Sequence, residues 1–327
     1  AGLAILGAAG LGVWFVRSRA RPPAEPLRAV PLTTYAGFEQ EPSFSPDGNQ
    51  VAFSWNGEKQ DNLDIYVKLV GPGAPLRLTT DPAEDRSPAW SPDGRWIAFL
   101  RFSAPGEAAV LLIPALGGPE RKLTELNQTG ELHYSYLAWT RDGKWLVISD
   151  GTRGKEPSGL FLVSAETGER RRLTSGPSVA PALSPDGRQL AFVRVSGTSV
   201  SDAYLVDLSA DLRPLGEPRR LTFLSQDVVS PVWTPDGREI LFSSGGHLAQ
   251  RGLWRIAASP GSSPRPESVG EDSTTLAVSY SGRRLVYARE TLDADIWRIA
   301  LRSPAEAAGP PLRLISSTRV DINAQYS

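Results

Sequence analysis

The sequence predicts an all-β fold: a β-propeller of four-stranded antiparallel blades, six of them complete in this chain out of a predicted seven, preceded by one transmembrane helix. Three observations predict it. A turn tetrad recurs at Ser45, Ser91, Thr140, Ser184 and Thr234, and in the degraded form SYSG at Ser279. The steps between copies are 46, 49, 44, 50 and 45 residues, a period in the forties that marks one supersecondary unit per propeller blade. After Val16 no amphipathic stretch of helical length survives the Pro and Gly punctuation, which excludes helical repeats of similar period.

At the N-terminus, AGLAILGAAGLGVWFV is an uncharged, mostly apolar run that would span about 24 Å as a helix. Trp14 and Phe15 sit where an interfacial aromatic belt would, and Arg17, Arg19 and Arg21 follow. Residues 1–17 therefore read as a membrane-spanning helix cut at its start, an uncleaved anchor, since no small-residue cleavage site follows it. Ala4, Ala8 and Gly12 form a small-residue stripe through which two such helices could dimerise. Residues 18–28, rich in Pro and Ala, read as a stiff linker, and 29–327 as the propeller, also cut at its end.

Within each unit the tetrad is a turn: Pro presets φ, Asp bonds the local backbone and Gly closes it. Directly after come VAFSW (from Val51), IAFL (Ile97), LVIS (Leu146), LAFV (Leu190), ILFS (Ile240) and LVYA (Leu285). Such continuous apolar runs suit strands covered on both faces. Third strands follow at Asp64, Gly159, Asp202, Gly252 and Asp295, and units close as LRLTT (Leu76), RKLT (Arg121), RRLT (Arg171), RRLT (Arg219) and LRLI (Leu312). Phe44, Trp90, Trp139, Leu183, Trp233 and Val278 precede the tetrads, where a large apolar group packs blade on blade.

The two ends set the predicted blade count. PLTT at Pro31 stands as far before its tetrad as LRLTT does before Ser91, so it reads as an outer strand without its own blade. The chain stops at Ser327, where the next tetrad is due. A seven-bladed ring with its last blade cut away follows, leaving an open, aggregation-prone inter-blade face. The alternative is a ring of six with the extra strand paired elsewhere.

The tetrads, "SPDGRWIAFL", "DNLDIYVKLV" and "LRLTT" resemble the WD40-like Pro-Asp repeats of TolB-like and prolyl-oligopeptidase propellers. The order of helix, short linker and repeats is similar to that of bacterial membrane-anchored signalling proteins. In those a serine/threonine kinase or winged-helix transcriptional regulator precedes the helix. The resemblance implies an inner-membrane location with the propeller in the periplasm, although the arginines after the helix hint at the opposite orientation.

Composition narrows the function. A formal net charge of −1 gives no electrostatic footprint for nucleic acid, and zero cysteines remove disulfides, zinc-thiolate sites and thiol catalysis. His133 and His247 fall in different units, and no serine elbow, phosphate loop or H-E-x-x-H occurs. No catalytic residue, metal or cofactor is expected in this segment. Asp61, Asp64, Asp202, Asp293 and Asp295 lie near third strands without calcium-loop spacing and read as turn caps.

One pattern points to binding. Six or seven residues before the tetrads stand Glu39, Asp85, Asp227, Asp272 and Asp321, in loops that surround one mouth of the axial channel. A partial carboxylate ring there would attract a cation, an amine or a basic peptide. Arg86, His133, Tyr134 and Tyr136 would add hydrogen-bonding and aromatic contacts. The expected function is an extracytoplasmic sensor propeller that binds a protein, peptide or small ligand at this mouth. The alternatives are the propeller of a prolyl-oligopeptidase-like serine peptidase and a TolB-like envelope docking protein.

Overall fold

A computed structural model describes residues 28–127, 137–151, 158–197, 200–246, 251–280, 284–290, 296–298, 301–303, 306–307, 310 and 312–315. The predicted membrane segment and nearly all of the linker lie outside these residues. Among the described residues no helix is long and apolar enough to cross a membrane.

The described residues form five complete four-stranded antiparallel blades. Blade 1 comprises β1 (Glu39–Phe44), β2 (Gln50–Trp55), β3 (Asp64–Leu69) and β4 (Leu76–Arg77). Blade 2 comprises β5 (Glu84–Trp90), β6 (Trp96–Ala104), β7 (Glu107–Pro114) and β8 (Arg121–Leu126). Blade 3 comprises β9 (Leu137–Trp139), β10 (Trp145–Asp150), β11 (Gly159–Ser164) and β12 (Arg170–Arg172). Blade 4 comprises β13 (Ser178–Leu183), β14 (Gln189–Gly197), β15 (Val200–Leu208) and β16 (Pro214–Arg220). Blade 5 comprises β17 (Asp227–Trp233), β18 (Glu239–Gly245), β19 (Gly252–Ala257) and β20 (Arg265–Pro266).

The tetrads fold as their composition requires. In blade 1 the Ser45 hydroxyl donates to Asp47 Oδ1 at 2.5 Å and accepts from the Gln50 N–H at 2.9 Å. Gly48 N–H closes the turn onto Ser45 O at φ 71°. The following strand is buried on both faces, and Phe99, Phe192 and Phe242, each eight residues past the first residue of its tetrad, are fully buried. Burying one such side chain is worth about 1.5–3 kcal/mol. Cores form between blades: Ala52, Ile65 and Val67 of blade 1 pack with Trp90, Ile97 and Phe99 of blade 2.

Each inner strand of blades 1, 2, 4 and 5 carries a bulge in its middle. Glu41, Ser87, Ala180 and Ser230 adopt φ of 50–57°, and each precedes a proline, Pro42, Pro88, Pro181 or Pro231. Proline has no ladder donor and is tolerated where a bulge already breaks the pairing.

Three expectations are corrected. The sixth unit is not a complete blade among the described residues. Its β21 (Ser273–Val278) pairs with β22 (Leu285–Arg289), while β23 (Ile296–Arg298) pairs separately with β26 (Leu312–Ile315), and β24 (Leu301–Ser303) with β25 (Glu306–Ala307). Nor does the ring wait for a seventh blade: β21 contacts both β17 and β1. Glu41 N–H donates to Thr275 Oγ1 at 2.9 Å, and Arg284 Nη1 to Gly48 O at 2.5 Å. Ala277 and Val286 cover Phe44 and Val51, so the face predicted to lie open is packed. Finally, Pro31–Thr34 is no strand. Tyr35 stacks on Trp55 with centroids 4.9 Å apart, and Trp55 Nε1 donates to Ala36 O at 2.9 Å, which ties this segment to blade 1 itself.

Candidate functional site

The inner strands present two ends, an entrance end where β1, β5, β13, β17 and β21 begin and a tetrad end where they stop. Glu39, Asp85, Asp227 and Asp272 all stand at or beside the entrance end, the first three within the strands themselves. His133, Tyr134, Tyr136 and Asp321 lie outside the described residues, as do His247, Asp293 and Asp295.

The register and the neighbouring blades decide what these carboxylates can do. Asp85 sits directly across the β5–β6 ladder from Arg101, which clamps it through Nε and Nη2 at 2.8 Å each. Arg101 also pairs with Glu120 at 2.6 Å and Asp81 at 3.2 Å, so one guanidinium serves three carboxylates. Burial pushes the Asp85 carboxyl up to about 6 against the pull of Arg101. Asp227 pairs with Arg251 at 2.7 Å and accepts the Ser201 hydroxyl at 2.7 Å. Asp272 pairs with Arg289 at 3.3 Å. Glu39 accepts the Thr33 hydroxyl at 3.0 Å, and burial raises its carboxyl above the usual range. Arg86 pairs with Glu84 at 2.5 Å and lies over Phe102. Each of the three aspartates is thus matched by an arginine within the fold, which weakens the cation-attracting field these carboxylates would otherwise project.

Two of the aspartates at third strands, Asp64 and Asp202, are likewise paired. Asp64 is bound by Arg77 at 2.5 Å and Asp202 by Arg220 at 2.6 Å. Among the described residues no group of three or more metal-binding side chains gathers.

Sequence reasoning passed over two features. Glu41, at the bulge of β1, is a buried carboxylate that joins blades: it accepts Ser87 N–H at 2.7 Å, Ser87 Oγ at 3.0 Å and Ser54 Oγ at 3.0 Å. Burial raises its carboxyl, opposed first by the Ser87 N–H and then by the Arg86 charge. The glutamate-proline pair inside a strand was its only sequence signal.

The second feature is an axial pocket of about 280 Å³ at the tetrad end. Two residues before each tetrad stand Ser43, Ala89, Ala138, Ala182, Val232 and Ala277, and all six line it. Small side chains at this one position, contributed by every inner strand, keep the axis open, while the large residue that follows packs between blades. Trp139 Nε1 and Trp233 Nε1 donate to the carbonyls of Ala89 and Ala182 in the preceding blade, both at 2.9 Å. Among the described residues Arg141 is the one charged side chain in the pocket wall, and its Nη1 donates to Pro185 O at 3.0 Å. Among the described candidate carboxylates, Glu39, Asp85, Asp227 and Asp272, none lines the pocket.

Comparison with known proteins agrees with this architecture. Residues 28–178 match a family model described as the TolB beta propeller domain. The chain is 32% identical over 170 residues to the uncharacterized peptidase YuxL of Bacillus subtilis, covering 50% of this chain and 23% of that protein. It is 31% identical over 185 residues to the Tol-Pal system protein TolB of Francisella tularensis, covering 55% of this chain and 41% of that one. The chain therefore spans less than half the length of these curated relatives. The crystal structure of TolB from Acinetobacter baumannii superposes with a TM-score of 0.59 at 18% identity, over 75% of this chain and 59% of that one, a likeness of fold.

Proposed function

We propose that the chain is a TolB-like β-propeller acting as a recognition module without chemistry of its own, which receives an apolar segment of a peptide or protein in its axial pocket. One observation carries this reading: all six inner strands place Ser, Ala or Val at the same position and so open a pocket on the axis whose wall is otherwise largely Pro, Leu and Trp. The conspicuous polar clusters, by contrast, are satisfied within the fold, the tetrads by their own turns and the entrance aspartates by arginines. Saturation-transfer NMR with capped tripeptides centred on Leu, Phe or Trp tests it. Wild type is expected to bind them and Ala182→Trp, which fills the pocket, to lose them; equal response from both proteins would sink the reading.

In the fuller form of this proposal residues 1–17 anchor the module in the inner membrane, the propeller lies in the periplasm, and the bound state is relayed to a kinase or winged-helix effector through paired helices. Leu116 is 87% exposed and the chain has no cysteine, so Leu116→Cys gives a clean reporter. Its labelling by a membrane-impermeant maleimide in spheroplasts supports the periplasmic side, and labelling only after lysis opposes it. A second reading, the propeller of a serine peptidase, is favoured by the likeness to YuxL; a serine elbow encoded downstream would support it, and a kinase or winged helix encoded upstream would support the first.

A further inference from the structure

Blade 4 departs from the pairing seen at the entrance end of blade 2. There the ladder sets Asp85 opposite Arg101, and the carboxylate takes both Nε and Nη2. In blade 4 the same ladder position sets Ser178 opposite Arg194. A serine supplies no carboxylate. Arg194 Nε and Ser178 Oγ, both buried, have no hydrogen-bond partner among the described residues. The guanidinium makes a long bond, Nη2 to Ser175 O at 3.4 Å.

The surroundings hold this cation ready and leave it unbalanced. It lies over the rings of Tyr204 at 4.8 Å and Phe192 at 5.6 Å, so a planar donor fork is already oriented and loses little freedom on pairing. Asp202, opposite Arg194 across the β14–β15 ladder, is bound by Arg220 at 2.6 Å and by the Thr222 hydroxyl at 3.0 Å. Arg220 in turn covers Phe223 at 4.5 Å, and Phe223 is 69% exposed. Guanidinium and aromatic groups side by side on a surface are the chemistry of interface anchors.

We propose that the entrance end of blade 4 docks an acidic segment of a partner protein. A carboxylate of that segment pairs with Arg194 and Ser178, as Asp85 pairs with Arg101 inside blade 2, and an apolar side chain next to it covers Phe223. Entry of the carboxylate takes a small rotation of the Arg194 head, because Nε is sealed in the unliganded chain. The site lies at the opposite end of the inner strands from the axial pocket and its ligand is acidic, where the sequence predicts a basic one for this end.

The test follows the side-chain Nε–H resonance of Arg194 in the full chain labelled with 15N-arginine, assigned with Arg194→Lys. Three probes are added: the peptide acetyl-Gly-Glu-Phe-Glu-Gly-amide, its Gln-for-Glu counterpart, and sodium acetate at equal carboxylate concentration. The acidic peptide is expected to shift the resonance saturably and the Gln peptide to bind about tenfold more weakly or worse. Ser178→Asp, which builds the blade 2 pair into blade 4, is expected to show the shifted resonance without ligand and to lose peptide affinity by about tenfold or more. Phe223→Ala, at an exposed position, is expected to weaken the peptide while leaving the acetate response unchanged. An Arg194 resonance that ignores the acidic peptide, or unchanged peptide affinity in Ser178→Asp, overturns the proposal. Acetate acting as strongly as the peptide overturns the assignment of a protein partner. Loss of tripeptide binding at the axial pocket in Ala182→Trp leaves every one of these outcomes unchanged, so the two proposals fail separately.

Discussion

The two ends of the inner strands use the same residue types to opposite effect. At the tetrad end an aspartate accepts a hydroxyl and a backbone N–H in open solvent, and these bonds hold its carboxyl below the usual range at Asp47, Asp186 and Asp236, and at about 2 in Asp93. At the entrance end burial dominates and pushes the carboxyls of Glu39 and Asp85 up, as it does for the mid-strand Glu41 and for Asp64 of β3. The tetrad is satisfied within five residues of chain and so repeats from blade to blade. The entrance is satisfied by whichever neighbour each blade supplies, an arginine across the ladder for Asp85, a partner 24 residues on for Asp227, none among the described residues for Ser178. Uniform chemistry marks the end that builds the ring, and blade-specific chemistry marks the other.

The largest expected effect breaks the entrance end. Asp85→Ala removes the only fully buried acceptor of Arg101 and leaves Asp81 and Glu120, both partly exposed. A loss of about 1.5–3 kcal/mol is expected in urea unfolding, because the guanidinium loses the buried one of its two bidentate partners and keeps Glu120. A loss below about 1 kcal/mol would mean that the exposed acids suffice and that this end is as locally built as a tetrad. A smaller effect is expected at the other end. Ser184→Ala removes the hydroxyl between Asp186 and the Gln189 N–H, at about 1 kcal/mol. Ser91→Ala, in an equivalent turn, should cost the same, and a twofold disparity between the two would contradict the uniformity of the tetrads.

The period alone located the strands, since Val51, Ile97, Leu146, Leu190 and Ile240 each begin a buried run after a turn. Closure was not legible in the same way. Counting units leaves open how far each blade is rotated about the axis, and β21 meets β1 after six inner strands. The segment from Pro31 carries the spacing of an outer strand, yet ring stacking of Tyr35 on Trp55 holds it on blade 1. The entrance acids were found by position, but their arginines lie 16 to 24 residues away, on the facing strand for Asp85 and just before β19 for Asp227, where no spacing rule supplies them. The axial residues were in plain view before each tetrad. Which of them face the axis depends on the bulges at Glu41, Ser87, Ala180 and Ser230, and these shift the alternation that would otherwise assign each side chain a face.

The finest distinction between the two ends is in their response to acid. The tetrad aspartates Asp47, Asp93, Asp186 and Asp236 titrate below the unfolded value of about 4, so the folded chain binds fewer protons there. Their contribution is fully present above about pH 4 and is lost as pH falls toward the folded value, about 2 for Asp93. Asp85 titrates above the unfolded value, and the folded chain binds more protons between about pH 4 and 6. Its contribution is therefore present below about pH 4 and is lost as pH rises through about 6. Thermal midpoints of wild type, Asp93→Asn and Asp85→Asn measured across this range should show penalties of opposite slope. The Asp93→Asn penalty shrinks as pH falls from about 4 toward 2, and the Asp85→Asn penalty shrinks as pH rises from about 4 to 6. Parallel slopes would mean that both carboxylates share one environment, and the division of the inner strands into a solvent-built and a burial-built end would not stand.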